Sequence, residues 1–257
     1  MCLILFAYDH HPRYQLVVAS NRDEFYQRPT SAADYWADNP DILAGRDLQE
    51  GGTWLGISTA GRFAALTNYR DPSSYKTDSK SRGHLVKKYL CSKLPPESYI
   101  EKMFGKNAYN DFNLLLGNTK SLYYYSNRED MLRKVPAGVH GLSNALLNDP
   151  WPKVKKGRQA LLKILESEDI EIESLFDMMA DQEKPDDHEL PQTGVGLEKE
   201  RMLAPAFVMS PNYGTRSSTV LLVGRNHKVQ FGERSFPNGN PNTWEEVYYE
   251  FRMKGTL

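Results

Sequence analysis

Apolar and polar positions fall in blocks along this chain, and the blocks predict strands at both ends with helices between them. Leu3–Ala7 and Gln15–Ala19 are short apolar runs separated by His10, His11, Pro12 and Arg13, a break that predicts a hairpin at the start of the chain. A polar stretch from Asn21 to Arg28, ended by Pro29, follows it. Thr53–Ser58 and Arg62–Thr67, joined at Ala60-Gly61 and preceded by Gly51-Gly52, predict a second hairpin whose small residues leave room for something packed against them. Within Lys80–Leu90 the apolar residues Leu85, Val86, Tyr89 and Leu90 recur at helical spacing. A second short helix is expected over Glu97–Phe104, after Pro95-Pro96.

Asn113–Leu116 and Leu122–Ser126 predict another hairpin, turning at Gly117-Asn118. Gly138 to Asn144 leads into the turn Pro150-Trp151-Pro152. The clearest helical stripe is Lys153–Glu166, with Val154, Leu161, Leu162 and Leu165 on one side. Ile172–Ala180 reads as another helix and Asp181 to Pro191 as a charged loop. Strands return at Ala206–Met209, Ser218–Val223 and Lys228–Arg234, before a polar, aromatic segment, Trp244–Phe251. Strands, then helices, then strands is the order of α+β layers, not of alternating βαβ units. With no internal repeat, low-complexity tract or Gly/Ser linker, a single domain over residues 1–257 is expected.

Composition narrows the function classes. The 32 Lys and Arg against 33 Asp and Glu lack the basic excess of a dedicated nucleic-acid binder. No apolar run reaches 18 residues, so no integral membrane segment is expected. Two cysteines, Cys2 and Cys91, make neither a disulfide framework nor a Cys-rich zinc site, and no metal site is expected. Leu3–Tyr8 has no basic residue before it and meets Asp9 at once, unlike a secretory signal. The expectation is a cytoplasmic protein with reduced thiols.

Cys2 is the most informative residue for chemistry. A small residue after the initiator Met favours removal of that Met, leaving a cysteine with a free α-amine. Nucleophile and base then share one residue, because an α-amine of pKa ~7.7–8.0 abstracts protons near neutrality and a thiol needs less activation than a hydroxyl. The plainer alternative is a small apolar residue opening a buried strand. Asn21-Arg22-Asp23-Glu24 follows the second apolar run and can sit beside Cys2 if the hairpin is in register; a cation there favours thiolate and a carboxylate can orient an amine. As a string on its own it also reads as a solvated turn. Asn68 and Asn144 close apolar runs, where an amide serves as an oxyanion donor or simply as a turn residue. Arg216 precedes the run at Ser218–Val223. These polar groups at strand ends are the layout from which one site is assembled.

The opening MC together with ASNRDEFYQRP, GGTWLGIS, AALTNYRDP, GLSNALLNDPWPKV and YGTRSSTVLLV resembles the NRDE family, that of transport and Golgi organization protein 2, along essentially the whole chain. That family is similar in layout to N-terminal-nucleophile (Ntn) hydrolases such as choloylglycine hydrolases and penicillin V acylases. The resemblance implies an α+β fold, a four-layer αββα sandwich of two antiparallel sheets. It also implies roles: Cys2 as nucleophile, Asp23 as the acid holding the α-amine, Asn68 and Asn144 on the oxyanion side, and Arg216 near the nucleophile. The bile-salt enzymes carry an arginine a few residues before that acid. Here Arg22 adjoins Asp23, and adjacent strand residues point to opposite faces.

Two readings of function follow. In the first, the protein is a cysteine amidohydrolase acting on a non-peptide C–N bond of a small acyl amide, with no cofactor required. In the second it is a non-catalytic carrier of haem or of a lipid or acyl-CoA ligand, a theme linked to this family along with Golgi organisation. Trp36, Trp54, Phe63 and Tyr69 would then line an apolar slot, with His84, His140 or Cys2 as candidate axial ligands to haem, or with haem bound by stacking alone. The binding residues expected around the site are Asn21, Arg22, Trp54, Tyr69 and His140.

Overall fold

The computed structural model describes residues 2–103, 108–118 and 120–254. Met1 and Phe104, on which two expectations fall, lie outside the described residues. Thirteen strands among the described residues form two wholly antiparallel sheets. The six-stranded sheet has the order β10 (Gly138–Leu142), β1 (Cys2–Tyr8), β2 (Tyr14–Phe25), β11 (Tyr213–Gly224), β12 (Lys228–Ser235), β13 (Glu245–Arg252). The seven-stranded sheet runs in chain order: β3 (Thr30–Trp36), β4 (Asn39–Asp47), β5 (Leu55–Ser58), β6 (Phe63–Asn68), β7 (Phe112–Gly117), β8 (Leu122–Ser126) and β9 (Met131–Lys134).

Every residue of β1 is buried, because this strand has apolar layers on both sides. Ile4, Phe6 and Tyr8 face the second sheet, clustering with Leu16, Val18, Leu221 and Phe231 of their own sheet and with Ile57, Phe63 and Leu115 of the other. Leu3, Leu5 and Ala7 face α3 (Pro152–Ile164) and α4 (Ile172–Met179) with Val17, Leu161, Phe176 and Met179. A strand buried on both faces reads as an unbroken apolar run, and CLILFAY is one. The other outer face is covered by α1 (Gly83–Cys91) and α2 (Pro96–Glu101), whose Leu85, Val86, Tyr89 and Tyr99 pack on Leu114, Leu116 and Phe112. The layers are helix, sheet, sheet, helix, as expected. Each fully buried Leu, Ile or Phe in them contributes roughly 1.5–3 kcal/mol relative to exposure.

Three local conditions place the helices. Pro152 occupies the first turn of α3, where its missing N–H costs nothing. Gly157 lets that helix lie directly on β1, since a Cβ there would come within 2.4 Å of Leu5 Cδ1. On the other side Tyr99 Oη donates to Leu85 O (2.7 Å), tying α2 to α1.

The structure departs from the sequence reading in identifiable places. β2 does not end at Ala19 but runs through Asn21-Arg22-Asp23-Glu24, because partners inside the fold satisfy those side chains. β3 and β4 form a hairpin in a region to which the sequence pattern assigned no element. Ala206–Met209 is not a strand: Phe207 N donates to Asp181 O, and pairing is confined to the single bridge Met209–Gly214. α5 (Leu197–Leu203) and β9 are short elements without a clear apolar period, and Trp244–Phe251 becomes edge strand β13.

Candidate active site

The hairpin register settles which polar residues meet. Cys2 pairs with Arg22 and Leu3 with Asn21 across β1 and β2, and Thr215 pairs with Asp23 across β2 and β11. A cleft of ≈ 390 Å³ opens at this end of the sandwich. Cys2, Arg22, Asp23 and Glu24 line it from the six-stranded sheet, and Asp47, Thr53, Trp54, Leu66 and Asn68 from the other. The segment before α1, including Tyr75, Lys80 and Arg82, forms its rim.

Strand alternation sorts the residues by face. Cys2 and Arg22 share the inter-sheet side with Ile4, Phe6 and Val18. The Arg22 guanidinium lies 4.4 Å from the centroid of the Trp54 ring, and its Nη1 donates to Thr30 Oγ1 at 3.1 Å. Trp54 can take that position because Gly45 lies beneath it; a Cβ there would come within 2.3 Å of the indole Cη2. Arg22 is therefore an arginine on the Cys2 side of the sheet, although it adjoins Asp23.

Asn21 and Asp23 face the helical layer. Asn21 Nδ2 donates to Met179 O (2.8 Å) and Ala206 O (2.9 Å), while its Oδ1 accepts from Ser218 Oγ at 2.6 Å. Asn21 is thus committed to anchoring the helical layer and does not line the cleft. Asp23 is 1% exposed and still reaches the cleft at the strand's end. Its Oδ1 accepts from Thr215 Oγ1 (2.8 Å) and its carbonyl from Tyr213 Oη (3.1 Å).

Burial dominates the electrostatics. It pushes the Cys2 thiol upward, with the Asp23 charge adding to the rise and the Arg22 guanidinium and Asp23 N–H opposing it. It pushes Asp23 upward too, against the pull of Lys153, the Thr215 hydroxyl and Arg70. Arg82, on the cleft rim, is held below its ordinary range by burial. The site therefore holds its thiol mostly protonated at neutral pH and needs a base close by to react.

The two asparagines are linked, and only one lines the cleft. Asn68 closes β6 at the cleft wall. Asn144 is fully buried behind it: its Nδ2 donates to Asn68 O (2.8 Å), and its own carbonyl accepts from Arg70 N (2.7 Å). Ser143 Oγ, next to it, donates to Cys2 O at 3.3 Å.

Other expected residues are placed elsewhere. Arg216 is the extra residue of a bulge in β11, between Thr215 and Ser217, and its Nη1 straps the Phe25, Tyr26 and Arg28 carbonyls outside the cleft. His140 pairs with Phe6, four residues along β1 from Cys2, and both ring nitrogens are engaged, by Pro136 O and Asn148 Nδ2. The Tyr69 ring lies under Arg128, 5.5 Å from its guanidinium carbon. Trp36 is buried under α1 with its Nε1 on Ala44 O, and Phe63 sits in the inter-sheet core. His84 Nε2 contacts Glu50 O at 2.6 Å. Of the four aromatics expected to form an apolar slot, only Trp54 reaches the cleft, and its walls are mainly polar.

Three buried charged residues were passed over in the sequence, and the charges of two of them, Lys153 and Arg70, act on Asp23. Lys153 is buried, and its Nζ donates to Leu203 O at 2.8 Å. Arg70 and Glu200 form an ion pair at 2.7 Å with both side chains about 5% exposed or less. Arg70 lies within AALTNYRDP and Lys153 within GLSNALLNDPWPKV, so nearness in the chain to Asn68 and Asn144 was the signal that could have found them. Glu200 carries no such signal. Among the described residues no group of three or more His, Cys, Asp or Glu could hold a metal ion, and no helix is long and apolar enough to cross a membrane.

Comparison with known proteins gives two kinds of similarity. The family model described as Transport and Golgi organisation 2 matches residues 1–238. The Transport and Golgi organization protein 2 homologs of Bos taurus and Homo sapiens are each 38% identical to this chain, over 276 and 281 residues, covering 99% of it and all of each relative. The Drosophila melanogaster protein is 30% identical over 285 residues, covering 97% of this chain and 98% of its own. Among solved structures, a C2A mutant of conjugated bile acid hydrolase from Clostridium perfringens matches with a TM-score of 0.51 at 8% identity, covering 100% of this chain and 99% of that one. The Caenorhabditis elegans ortholog of N-acylethanolamine-hydrolyzing acid amidase matches with a TM-score of 0.50 at 9% identity, covering 86% and 92%. At such identities the likeness is one of fold.

Proposed function

This chain belongs to the Transport and Golgi organisation 2 family and has the fold of Ntn hydrolases, and from that premise we propose that it is a cysteine amidohydrolase cleaving a non-peptide C–N bond in a small, polar acyl amide. The observation that carries the reading is the convergence of Cys2, Arg22, Asp23 and Asn68 on one cleft through the register of β1, β2 and β6. No single element supplies this set.

With the initiator Met removed, the Cys2 α-amine takes the thiol proton as Sγ attacks the substrate carbonyl. That amine needs an anion to orient it, and Asp23, fixed by Thr215, is the carboxylate at hand. The tetrahedral oxyanion is held from the Asn68 side of the cleft, with Asn144 fixing Asn68 through its carbonyl. Collapse breaks the C–N bond, the amine leaves with the proton, and a thioester to Cys2 remains. Water then attacks the thioester, releasing the carboxylic acid and restoring the thiol. Arg22, on Cys2's own face, favours the thiolate as it develops.

The polarity of the walls supports a polar substrate over a long hydrocarbon chain. The carrier reading keeps Cys2 as its one expected haem ligand within the cleft lining, since His84 and His140 lie outside it. A hydrolysis screen of small acyl amides tests the proposal: Cys2→Ala should abolish turnover. Turnover equal in parent and Cys2→Ala protein would remove the reading.

A further inference from the structure

The charges lining the cleft do not cancel among themselves. Asp47 is paired with Arg28 at 2.6 Å, and Glu24 faces the same guanidinium at 3.9 Å. Asp23 is the anion assigned above to the Cys2 α-amine. Glu50 and Lys80, both exposed at the rim, offset one another. Two cations are left over, Arg22 and Arg82, and among the described residues neither forms an ion pair.

Arg22 is 6% exposed. Its Nη1 donates to Thr30 Oγ1 and its face rests on Trp54, while Nε and Nη2 donate to no described residue. The indole stack returns about 0.5–2 kcal/mol, whereas removing a guanidinium from water costs several kcal/mol without a counter-ion. Arg82 is half-buried and anchored by Nη1 donating to Asp111 O at 3.0 Å. The backbone beside it is pinned where Thr53 N donates to Gly83 O at 3.3 Å. Gly52 permits that approach, since a Cβ there would come within 2.7 Å of the Gly83 carbonyl carbon. The six-stranded sheet thus brings one guanidinium to the cleft, and the segment before α1 brings the other. Arg22 is also the direct cross-strand partner of Cys2, and Cβ atoms so opposed lie about 4.5–5.5 Å apart.

We infer that Arg22 and Arg82 form an anion-binding subsite beside Cys2, so that the substrate of this cleft carries an oxyanion group, a carboxylate or a phosphate, close to its scissile bond. The inference rests on the reading of the cleft as a substrate site and narrows that substrate from polar to anionic. With its face on Trp54 and Nη1 on Thr30, Arg22 keeps its Nε–Nη2 edge for two oxygens of one such group.

The experiment compares two alkylating agents of similar size that differ in charge. In a Cys91→Ala background at fixed ionic strength, the rates of Cys2 alkylation by iodoacetate and by iodoacetamide are measured and expressed as a ratio, with 2-mercaptoethanol as the reference thiol. Both reagents consume the same thiolate, so the ratio does not move with thiol ionisation. It should exceed the reference thiol's ratio and fall roughly tenfold in Arg22→Gln or Arg82→Gln, the loss of one charge-assisted contact. Arg22→Lys, which keeps the charge without the fork, should retain part of the preference. A parent ratio no higher than the reference, or one that either folded variant keeps, overturns the inference; a melting transition reports folding, and Arg82→Gln carries the test alone if Arg22→Gln does not fold. An equal fall in Lys80→Gln also overturns it, by assigning the preference to the general field of the rim. Acetate and inorganic phosphate as competitors identify the group bound by which of them lowers the ratio; a ratio lowered by neither contradicts the subsite. An anion preference in a chain that hydrolyses no amide leaves the subsite standing while the amidohydrolase reading falls.

Discussion

Arg22 and Asp23 are consecutive in the chain and work on opposite faces of one strand, which is the central fact at the scale of single residues. Arg22 reaches Trp54 across the inter-sheet space, while Asp23 turns to Thr215 and Tyr213. Period-two alternation made that separation legible from the sequence; which of the two would share a face with Cys2 depended on register. Thr215 is a sensitive point because its hydroxyl donates to Asp23 and accepts from Val208 N at 2.9 Å. Thr215→Val should destabilise the fold by about 1–3 kcal/mol, from a buried donor and a buried carboxylate left short of a partner. Urea unfolding of the variant checks this. Cys2 was legible as a candidate nucleophile from its position, and the register places it on the cleft; the buried charge of Lys153 was not legible. Inside the helical stripe of α3 a lysine reads as a solvated residue, and only the packing of residues 203–205 over it makes it an interior charge.

Among the elements, the unbroken apolar runs were the easiest to read. CLILFAY, the first hairpin and the α3 stripe are consequences of burial on both faces or on one stripe. The β3–β4 hairpin was hidden because edge strand β3 alternates imperfectly, its Ser31, Ala32 and Asp34 being exposed and its pairing with β4 broken by irregularities. The Ala206–Met209 run failed as a strand for the opposite reason: it is apolar because it packs under the sheet end, with Phe207 against Phe236, ring centroids 4.9 Å apart. β4 also carries a backbone position on which the cleft wall depends. Gly45→Ala would drive a methyl into the Trp54 indole, costing roughly 1–3 kcal/mol and unseating the Arg22–Trp54 stack. Thermal unfolding and Trp fluorescence should both shift; a variant with parental melting and emission would contradict that placement.

For the molecule as a whole, the question is how the two sheets are held with the cleft between them. Glu233, on β12 and 2% exposed, reaches across to β3, accepting from Ala33 N at 2.7 Å, and takes a second hydrogen bond from Thr219 Oγ1 at 3.1 Å. Burial raises it to about 7, against the Ala33 and Thr219 hydrogen bonds and the charge of Arg22. An acid raised above its unfolded value binds its proton more tightly when folded. Its contribution is therefore complete below about pH 4.3 and is lost as pH rises through 7. Glu233→Gln should remove this slope, so that its stability relative to the parent improves from pH 5 to pH 8 by as much as about 3 kcal/mol. Denaturant unfolding at the two pH values reads it. The α+β layering was foreseen from strand order and the four-layer sandwich from the family resemblance; this clamp was not, because Ala33 and Glu233 are 200 residues apart in the chain.

The whole account turns on sulfur and terminal nitrogen belonging to the same residue. Intact mass spectrometry of the protein isolated from its own cells, before and after iodoacetamide treatment of a Cys91→Ala form, tests this directly. The account predicts a chain lighter by one methionine that takes up a single label at its first residue, Cys2. A chain that retains its initiator methionine would contradict it.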